Sequence, residues 1–493
     1  MLAAYLLAQM LLVVYSSHRF VILWRWWRAH RRKVAPGPTL APHGSTWPVV
    51  TVQLPVYNER FVVERLIDAV AAFDYPPDRL EIQVLDDSTD DTRELVQRVV
   101  ERHRSRGVDI QHLHRIARVG FKAGALAEGL RRARGELVAI FDADFVPPPG
   151  FLERLVRYLD DPAVGMVQAR WSHLNRRRSA LTAAQAVMLD AHFLLEHPAR
   201  MGNGLFFNFN GTAGVWRRSC LEDAGGWAHD TLTEDLDISY RAQLRGWRFL
   251  FVPGVEAPAE LPVEMEALKS QQRRWAKGSI QTARKLLPRV FESDLPARVK
   301  VEAFLHLTAN MAYPLLLVLG LLLLPVLLGT PSTAPWVVWV VQVGVMLFGI
   351  VPVTLFLVAG QWNAGVGFGA LARDVPSALV VGVGLSLNNA RAVLEGFGRC
   401  VGRWERTPKT GDLDRRRGSS GGYARGCRPA GTAEVLLAAY FGGMAVYAWR
   451  NDHVGAVAFL ILLLLGFGTV GVASLRASLR SSRGAEIGGD ALA

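Results

Sequence analysis

Cysteine is scarce in this chain: Cys220, Cys400 and Cys427 are the three in 493 residues. They are far apart and none sits in a CxxC pair, which excludes a disulfide framework and a thiolate zinc site. Charge is missing altogether from three long runs, 305–330, 331–372 and 454–475. About 20 apolar residues let a helix cross a bilayer, so these runs exclude a wholly water-exposed chain and are candidate spans. Two weaker candidates are 1–24, which carries Arg19, and 432–449, which contains Glu434. The N-terminal run lacks both a preceding basic residue and a small-x-small cleavage site, so it reads as an anchor rather than a removable signal. Lysine is rare beside arginine, a usage that points to a GC-rich bacterial genome and hence an inner membrane.

What is there in excess is positive charge, a net +12 with a pI near 9.9. Nucleic acid is one partner for such a surface, but Arg flanking membrane spans and facing anionic headgroups accounts for it without one. Arg25, Arg28, Arg31, Arg32 and Lys33 follow the first span and place that side in the cytoplasm. The stretch near 331–335 has no positive charge and should face out. The Arg-rich segment 399–428 and the tail with Arg476, Arg480 and Arg483 should face in. The resulting division is a transmembrane helix at 1–24, a cytoplasmic domain at 38–298 with interfacial helices near its end, and two spans within 303–360. A basic cytoplasmic linker at 399–430, two further spans within 432–475 and a cytoplasmic tail at 476–493 complete it. The stretch 376–398, with Asn388, Asn389, Arg391 and Glu395, suits an interfacial helix, and a sixth crossing helix is the competing reading.

Between about 38 and 298 the pattern changes to alternating strands and helices. VVTVQLPVY, EIQVLDDS, VDIQHL, ELVAIFDAD and VGMVQAR read as strands. ERFVVERLIDAVAAF, TRELVQRVVERHR, KAGALAEGLRRAR and GFLERLVRYL have helical spacing. This rhythm predicts an α/β domain, a mostly parallel sheet with helices on both faces. Ligands of such sheets lie at the carboxyl ends of the strands, where Asp86, Asp87, Asp142 and Asp144 fall. Strand alternation would put Asp142 and Asp144 on one face. Two carboxylates there repel, and a hard divalent cation removes that cost. An ordinary acidic turn, with Asp144 capping the next helix, is the alternative reading. His112, His114, His173, His192 and His197 form no convincing metal-ligand pair, and His173 reads as a satisfied structural histidine.

Several motifs recur in order: QLPVYNE (53–59), LDDSTDDT (85–92), FKAGAL (121–126), FDAD (141–144), ARWSHLN (169–175), FFNFNGTAGVWR (206–217), TEDLD (233–237) and QQRRW (271–275). As an ordered set they resemble the family-2 glycosyltransferases of GT-A fold, and among them the processive, membrane-embedded synthases such as cellulose synthase. The similarity is greater still to the cellulose-synthase-like A and C branches, β-mannan and glucan synthases, and their bacterial relatives. The resemblance covers about 50–409. It implies a GT-A nucleotide-diphospho-sugar transferase domain inserted between transmembrane helices of a multi-pass protein. It implies transfer of a hexose from GDP-mannose or UDP-glucose to a growing β-linked, β-1,4 polysaccharide, with inversion. Transfer of one sugar to a lipid acceptor is the alternative, and a second copy or an export partner is left open.

By the same resemblance, Mg²⁺ or Mn²⁺ is held by Asp144 with Asp142 beside it. Tyr57, Glu59, Asp87, Lys122 and Asp142 are expected at the nucleotide-sugar, and Asp235 is the general base with Glu234 adjacent. Asp237 reads as an exposed first-turn acid. Gln271 and Arg274 of the Q-x-x-R-W motif are expected at the donor, and Trp275, Gly211 and Thr212 at the acceptor. WERTPK (404–409) resembles the gating-loop motif F-x-V-T-x-K, which implies that Thr407 and Lys409 reach the diphosphate. Trp404 and Arg406 depart from that pattern.

Overall fold

Val50–Val56 (β1) shows how the sheet is built. Its alternate residues Val50, Val52, Leu54 and Val56 enter an apolar core, while Thr51 and Gln53 face the opposite side of the sheet. Those two polar residues are completely buried and find partners on Leu80–Asp86 (β2). Thr51 donates to Glu81 at 2.6 Å and Gln53 to Gln83 at 3.1 Å. A buried polar group must be paired in this way to avoid its full desolvation cost. The computed structural model describes residues 1–31, 47–329, 336, 338–398, 402, 407, 409, 411 and 431–489.

Among those residues the sheet has seven strands in the order β3-β2-β1-β4-β6-β5-β7. The others are Ile110–His114 (β3), Leu137–Ile140 (β4), Val164–His173 (β5), Gly214–Arg217 (β6) and Arg248–Ala259 (β7). β3, β2, β1 and β4 are mutually parallel, and β6 runs antiparallel between β4 and β5. The expectation of a mostly parallel sheet holds, with this one reversal. It arises in FFNFNGTAGVWR, whose four strand residues are too few to show a period. One face packs under helices Val63–Ala71, Thr92–Arg104 and Phe151–Val156. The other packs under Phe121–Arg132, Arg218–Asp223 and Glu234–Leu244.

The register aligns the strand ends. Val56 pairs with Asp86, and Gln53 with Ile140, so the segments that follow β1, β2 and β4 open on the same edge. β4 stops at Ile140. Asp142 and Asp144 therefore lie in the turn beyond it, where strand alternation no longer sets their directions. That corrects the geometric argument for their common face.

Among the described residues four helices are long and apolar enough to cross a membrane: Leu2–Arg31, Ala309–Gly329, Met346–Asn363 and Val454–Leu479. Phe368–Gly384 and Ser386–Gly396, which meet at 47°, make a fifth if the bent pair is one span. That pair occupies the region read as one helix at 376–398. Thr432–Arg450 is a further helix of 19 residues with Glu434 in its first turn. Leu2–Arg31 belongs to two environments. Tyr5, Ala8 and Leu12 pack with Leu319, Leu323 and Phe441 among apolar helices, whereas Ile22 packs with Ala191, Leu195 and Ala199 of the α/β unit.

The polar face of that first helix is tied down by ion pairs between side chains. His18 and Arg25 meet Glu302, His18 at 3.1 Å, and Arg19 meets Glu196 at 3.2 Å. Arg200, almost completely buried, bridges Glu196 at 2.9 Å and Glu302 at 3.6 Å. Burial alone would raise the Glu196 carboxyl; Arg200, His192 and Arg19 outweigh it and hold the group well below its ordinary value.

Candidate active site

A cleft of about 160 Å³ opens at the carboxyl edge of the sheet. Tyr57, Glu59, Asp87, Lys122, Asp142, Asp144, Gly211, Glu234, Asp235, Gln271, Arg274, Trp275, Thr407 and Lys409 all line it. Of the site residues read from the sequence, Thr212 is the exception. It is fully buried behind the wall, and its hydroxyl accepts from the Asp142 backbone N–H at 2.9 Å. Its expected acceptor contact is replaced by a positioning one.

At one end Asp87 is gripped by Arg115 through two hydrogen bonds of 2.7 and 2.6 Å. The Arg118 guanidinium lies over the Tyr57 ring, 3.4 Å from its centroid. A planar cation on an aromatic face builds a flat, charged surface. Neither arginine was singled out in the sequence. Both lie in the loop between β3 and FKAGAL, and the loop's position at a strand end was the signal available.

At the centre Lys122 donates to Asp142 at 2.5 Å and to the Gly211 carbonyl at 2.9 Å, and lies 3.9 Å from Glu234. Burial disfavours its charge, but Asp142 and Glu234 outweigh burial and raise its pKa. Gly211 has φ +80°, and a Cβ there would stand 3.1 Å from an Asp235 oxygen and 3.4 Å from the Lys122 ammonium. Glycine is required on both counts.

Glu234 and Asp235 open the helix Glu234–Leu244. The preceding Thr233 lies against Gly278 of the helix Met265–Glu292, where a Cβ would come within 2.5 Å of its methyl carbon. The close approach packs the TED segment onto the helix that carries Gln271, Arg274 and Trp275. Burial raises the Asp235 pKa to about 7, with Glu234 adding to the rise and Lys122 opposing it. Burial raises Glu234 also. Asp237 is not the exposed acid expected from its place in the first turn. It is fully buried, bonded to Arg241 at 2.7 Å and to Lys285 at 2.9 Å, and supports the helix rather than the chemistry.

At the other end Lys409 reaches Asp144 at 2.7 Å and also bonds the Glu260 carbonyl, while Arg274 donates to the Thr407 hydroxyl at 3.0 Å. Trp404 and Arg406 lie outside the described residues. Glu260, which also lines the cleft and pairs with Arg65 at 2.8 Å, had no motif to mark it. His173 lines the cleft and is held by Asp190 at 2.9 Å, so it is both a wall residue and a satisfied histidine. Each carboxylate of the D-x-D pair thus meets one ammonium in this arrangement, Asp142 with Lys122 and Asp144 with Lys409. These carboxylates demand cationic partners, and an all-oxygen pair suits Mg²⁺ or Mn²⁺.

Residues 48–278 match the family described as glycosyltransferase like family 2. Glucomannan 4-beta-mannosyltransferase 2 of Arabidopsis thaliana is 45% identical over 248 residues, covering 49% of this chain and 46% of that protein. Glucomannan 4-beta-mannosyltransferase 1 of Oryza sativa subsp. japonica is 41% identical over 271 residues, covering 54% and 51%. The chain spans about half the length of the curated relatives it matches. Among solved structures, the mannosyltransferase PcManGT from Pyrobaculum calidifontis in complex with GDP-Man and Mn2+ aligns with a TM-score of 0.50 and 23% identity, over 78% of this chain and 99% of that one. That likeness concerns the fold.

Proposed function

Because residues 48–278 are a family 2 glycosyltransferase domain of GT-A fold, we propose that the chain is a membrane-embedded, inverting hexosyltransferase. It extends a β-1,4-linked polysaccharide from a nucleotide-sugar. GDP-mannose is the first donor to test, since the curated relatives are named as glucomannan mannosyltransferases, and UDP-glucose is the second. The observation that carries the reading is the convergence on one cleft of Asp142, Asp144, Asp235, the Q-x-x-R-W side chains, Thr407 and Lys409.

In this reading the nucleoside lies against Tyr57, Arg118 and Asp87, and Glu59 lines the same end. The diphosphate lies toward Lys122, Arg274, Thr407 and Lys409, and the acceptor toward Trp275 and Gly211. Asp235 takes the proton of the acceptor hydroxyl as that oxygen bonds to the anomeric carbon. The bond from this carbon to the diphosphate breaks with inversion, so an α-linked donor gives a β-linked product. Asp144 and Asp142 would hold Mg²⁺ or Mn²⁺, which supplies charge neutralisation for the departing diphosphate. Lys409 must then leave Asp144, and the diphosphate is its natural next partner. The apolar helices hold the chain in the bilayer, and the Arg-rich flanks favour a cytoplasmic catalytic unit.

The test supplies radiolabelled GDP-mannose and UDP-glucose separately to membranes bearing the protein, with Mn²⁺. Label is expected in ethanol-insoluble product, lost with EDTA and reduced about 10²–10⁴-fold by Asp235→Asn. Label confined to the organic-solvent fraction would mean a lipid acceptor and would overturn the polymer reading.

A further inference from the structure

β3 is an edge strand, and its residues His112 and His114 project to one face because they are two apart. The parallel register sets His114 opposite Asp86 and His112 opposite Val84, so all these side chains share the face under the helix Thr92–Arg104. The ligand atoms of Asp86, His112 and His114 lie within 4.8 Å of one another. His112 Nε2 is 2.8 Å from Asp86 Oδ2, and His114 Nδ1 is 3.6 Å from the same oxygen.

One oxygen cannot satisfy both imidazoles at those distances. His112 has a hydrogen bond; His114 Nδ1 is buried and makes none. A buried polar atom in that state is costly and calls for a partner. The carboxylate is also held from behind, since Asp86 Oδ1 accepts the Ser88 backbone N–H at 2.8 Å. Outer hydrogen bonds of this kind orient a metal-binding carboxylate. An ion bonded at about 2.0–2.2 Å to all three atoms needs them about 3.4 Å apart in tetrahedral geometry, between the 2.8 Å and 4.8 Å of the present arrangement.

We propose that Asp86, His112 and His114 form a second metal site, which takes Zn²⁺ or a similar borderline divalent ion. Two imidazoles and one carboxylate select nitrogen-loving ions, whereas the Asp142–Asp144 pair offers oxygen alone and suits Mg²⁺ or Mn²⁺. Three protein ligands leave one position for water. The site lies outside the cleft and belongs to the next residue along from Asp87. The Arg115 backbone N–H donates to the Asp86 carbonyl at 2.9 Å while its guanidinium grips Asp87. An ion there would fasten the edge strand to β2 beneath the nucleoside end of the cleft. The inference does not depend on which sugar or acceptor the enzyme uses.

The experiment strips detergent-solubilised full-length protein with EDTA, dialyses it and adds Zn²⁺ alone in a large excess of Mg²⁺. Bound zinc is measured by elemental analysis, and Co²⁺ is added in a parallel sample to read its visible d–d absorption. One equivalent of zinc is expected, retained in Asp144→Asn and weakened at least about tenfold in His112→Gln and in His114→Gln. Each glutamine keeps hydrogen-bonding capacity, and thermal melting without zinc confirms that the variants fold. Zinc bound equally by wild type and both histidine variants would mark adventitious binding and overturn the proposal. So would loss of zinc in Asp144→Asn alone, or no binding at micromolar zinc.

Discussion

Asp235 should make the enzyme sensitive to acid just below neutrality. Its pKa of about 7 comes from burial and the adjacent Glu234, with Lys122 holding it from rising further. In the proposed role of general base Asp235 works only when ionised, so the rate should fall as pH drops. With a midpoint near 7, the limit approached at low Mn²⁺, about 9% of Asp235 is ionised at pH 6 and about 91% at pH 8, so kcat/KM for the acceptor should differ by up to about tenfold between them. Lys122→Met removes the compensating cation 3.9 Å from Glu234. Lys122 opposes the rise in the Asp235 pKa, so its removal moves the midpoint upward. A divalent cation on Asp142 and Asp144 acts in the opposite sense, and the midpoint should climb toward 7 as Mn²⁺ is lowered. The assay is incorporation of label into polymer from pH 5.5 to 8.5, at saturating and limiting Mn²⁺, for wild type and Lys122→Met. A rate independent of pH from 6 to 8 at both metal levels would refute the argument. A downward shift in Lys122→Met would do the same.

Gly211→Ala places an L side chain at φ +80° and a Cβ 3.1 Å from Asp235. It should cost about 1–2 kcal/mol in backbone strain and lower kcat more than it changes donor affinity, read by steady-state kinetics. Thr212→Val leaves the Asp142 N–H without its acceptor; a loss of about 1–3 kcal/mol in stability and weaker Mn²⁺ binding are expected, by thermal melting and by metal titration of activity. Lys409→Met frees Asp144 of its ammonium partner. It should tighten Mn²⁺ binding in the absence of donor and lower turnover, measured by isothermal titration and by label incorporation. Glu196→Gln leaves buried Arg200 with Glu302, at 3.6 Å, as its remaining acidic partner and should destabilise, by less than the ~3–5 kcal/mol of a fully unpaired buried charge. Since the Glu196 pKa is depressed on folding, wild type gains this stability above pH 4.5 and loses it as pH falls further. The variant should lack that part of the acid sensitivity in melting curves.

The residues that line the cleft were legible because each motif ends a strand or starts a helix, and the sheet topology gathers those ends. FDAD and TEDLD could be placed without knowing any contact. Thr212 and Asp237 were misassigned because their roles depend on what lies behind them: a backbone N–H for one, Arg241 and Lys285 for the other. Arg115 and Arg118 went unmarked because Arg is common everywhere in this chain, and only the fold shows which ones face Asp87 and Tyr57. His112 and His114 carried a visible i, i+2 spacing. Their third partner lies 26 residues before His112, and only strand pairing joins it to them.

The ionic seam along the first helix has a bearing on biosynthesis. His18 leaves the ribosome 284 residues ahead of Glu302, its eventual partner. Arg19 precedes Glu196 by 177. For that interval Arg19 and Arg25 on the helix are without these acidic partners. Cutting the helix away to obtain a soluble enzyme would leave Glu196, Arg200 and Glu302 short of charge balance and an apolar wall at Ala191 and Ala199 uncovered. The first helix thus completes the interior of the α/β unit, and the two should be lost together in any truncation series.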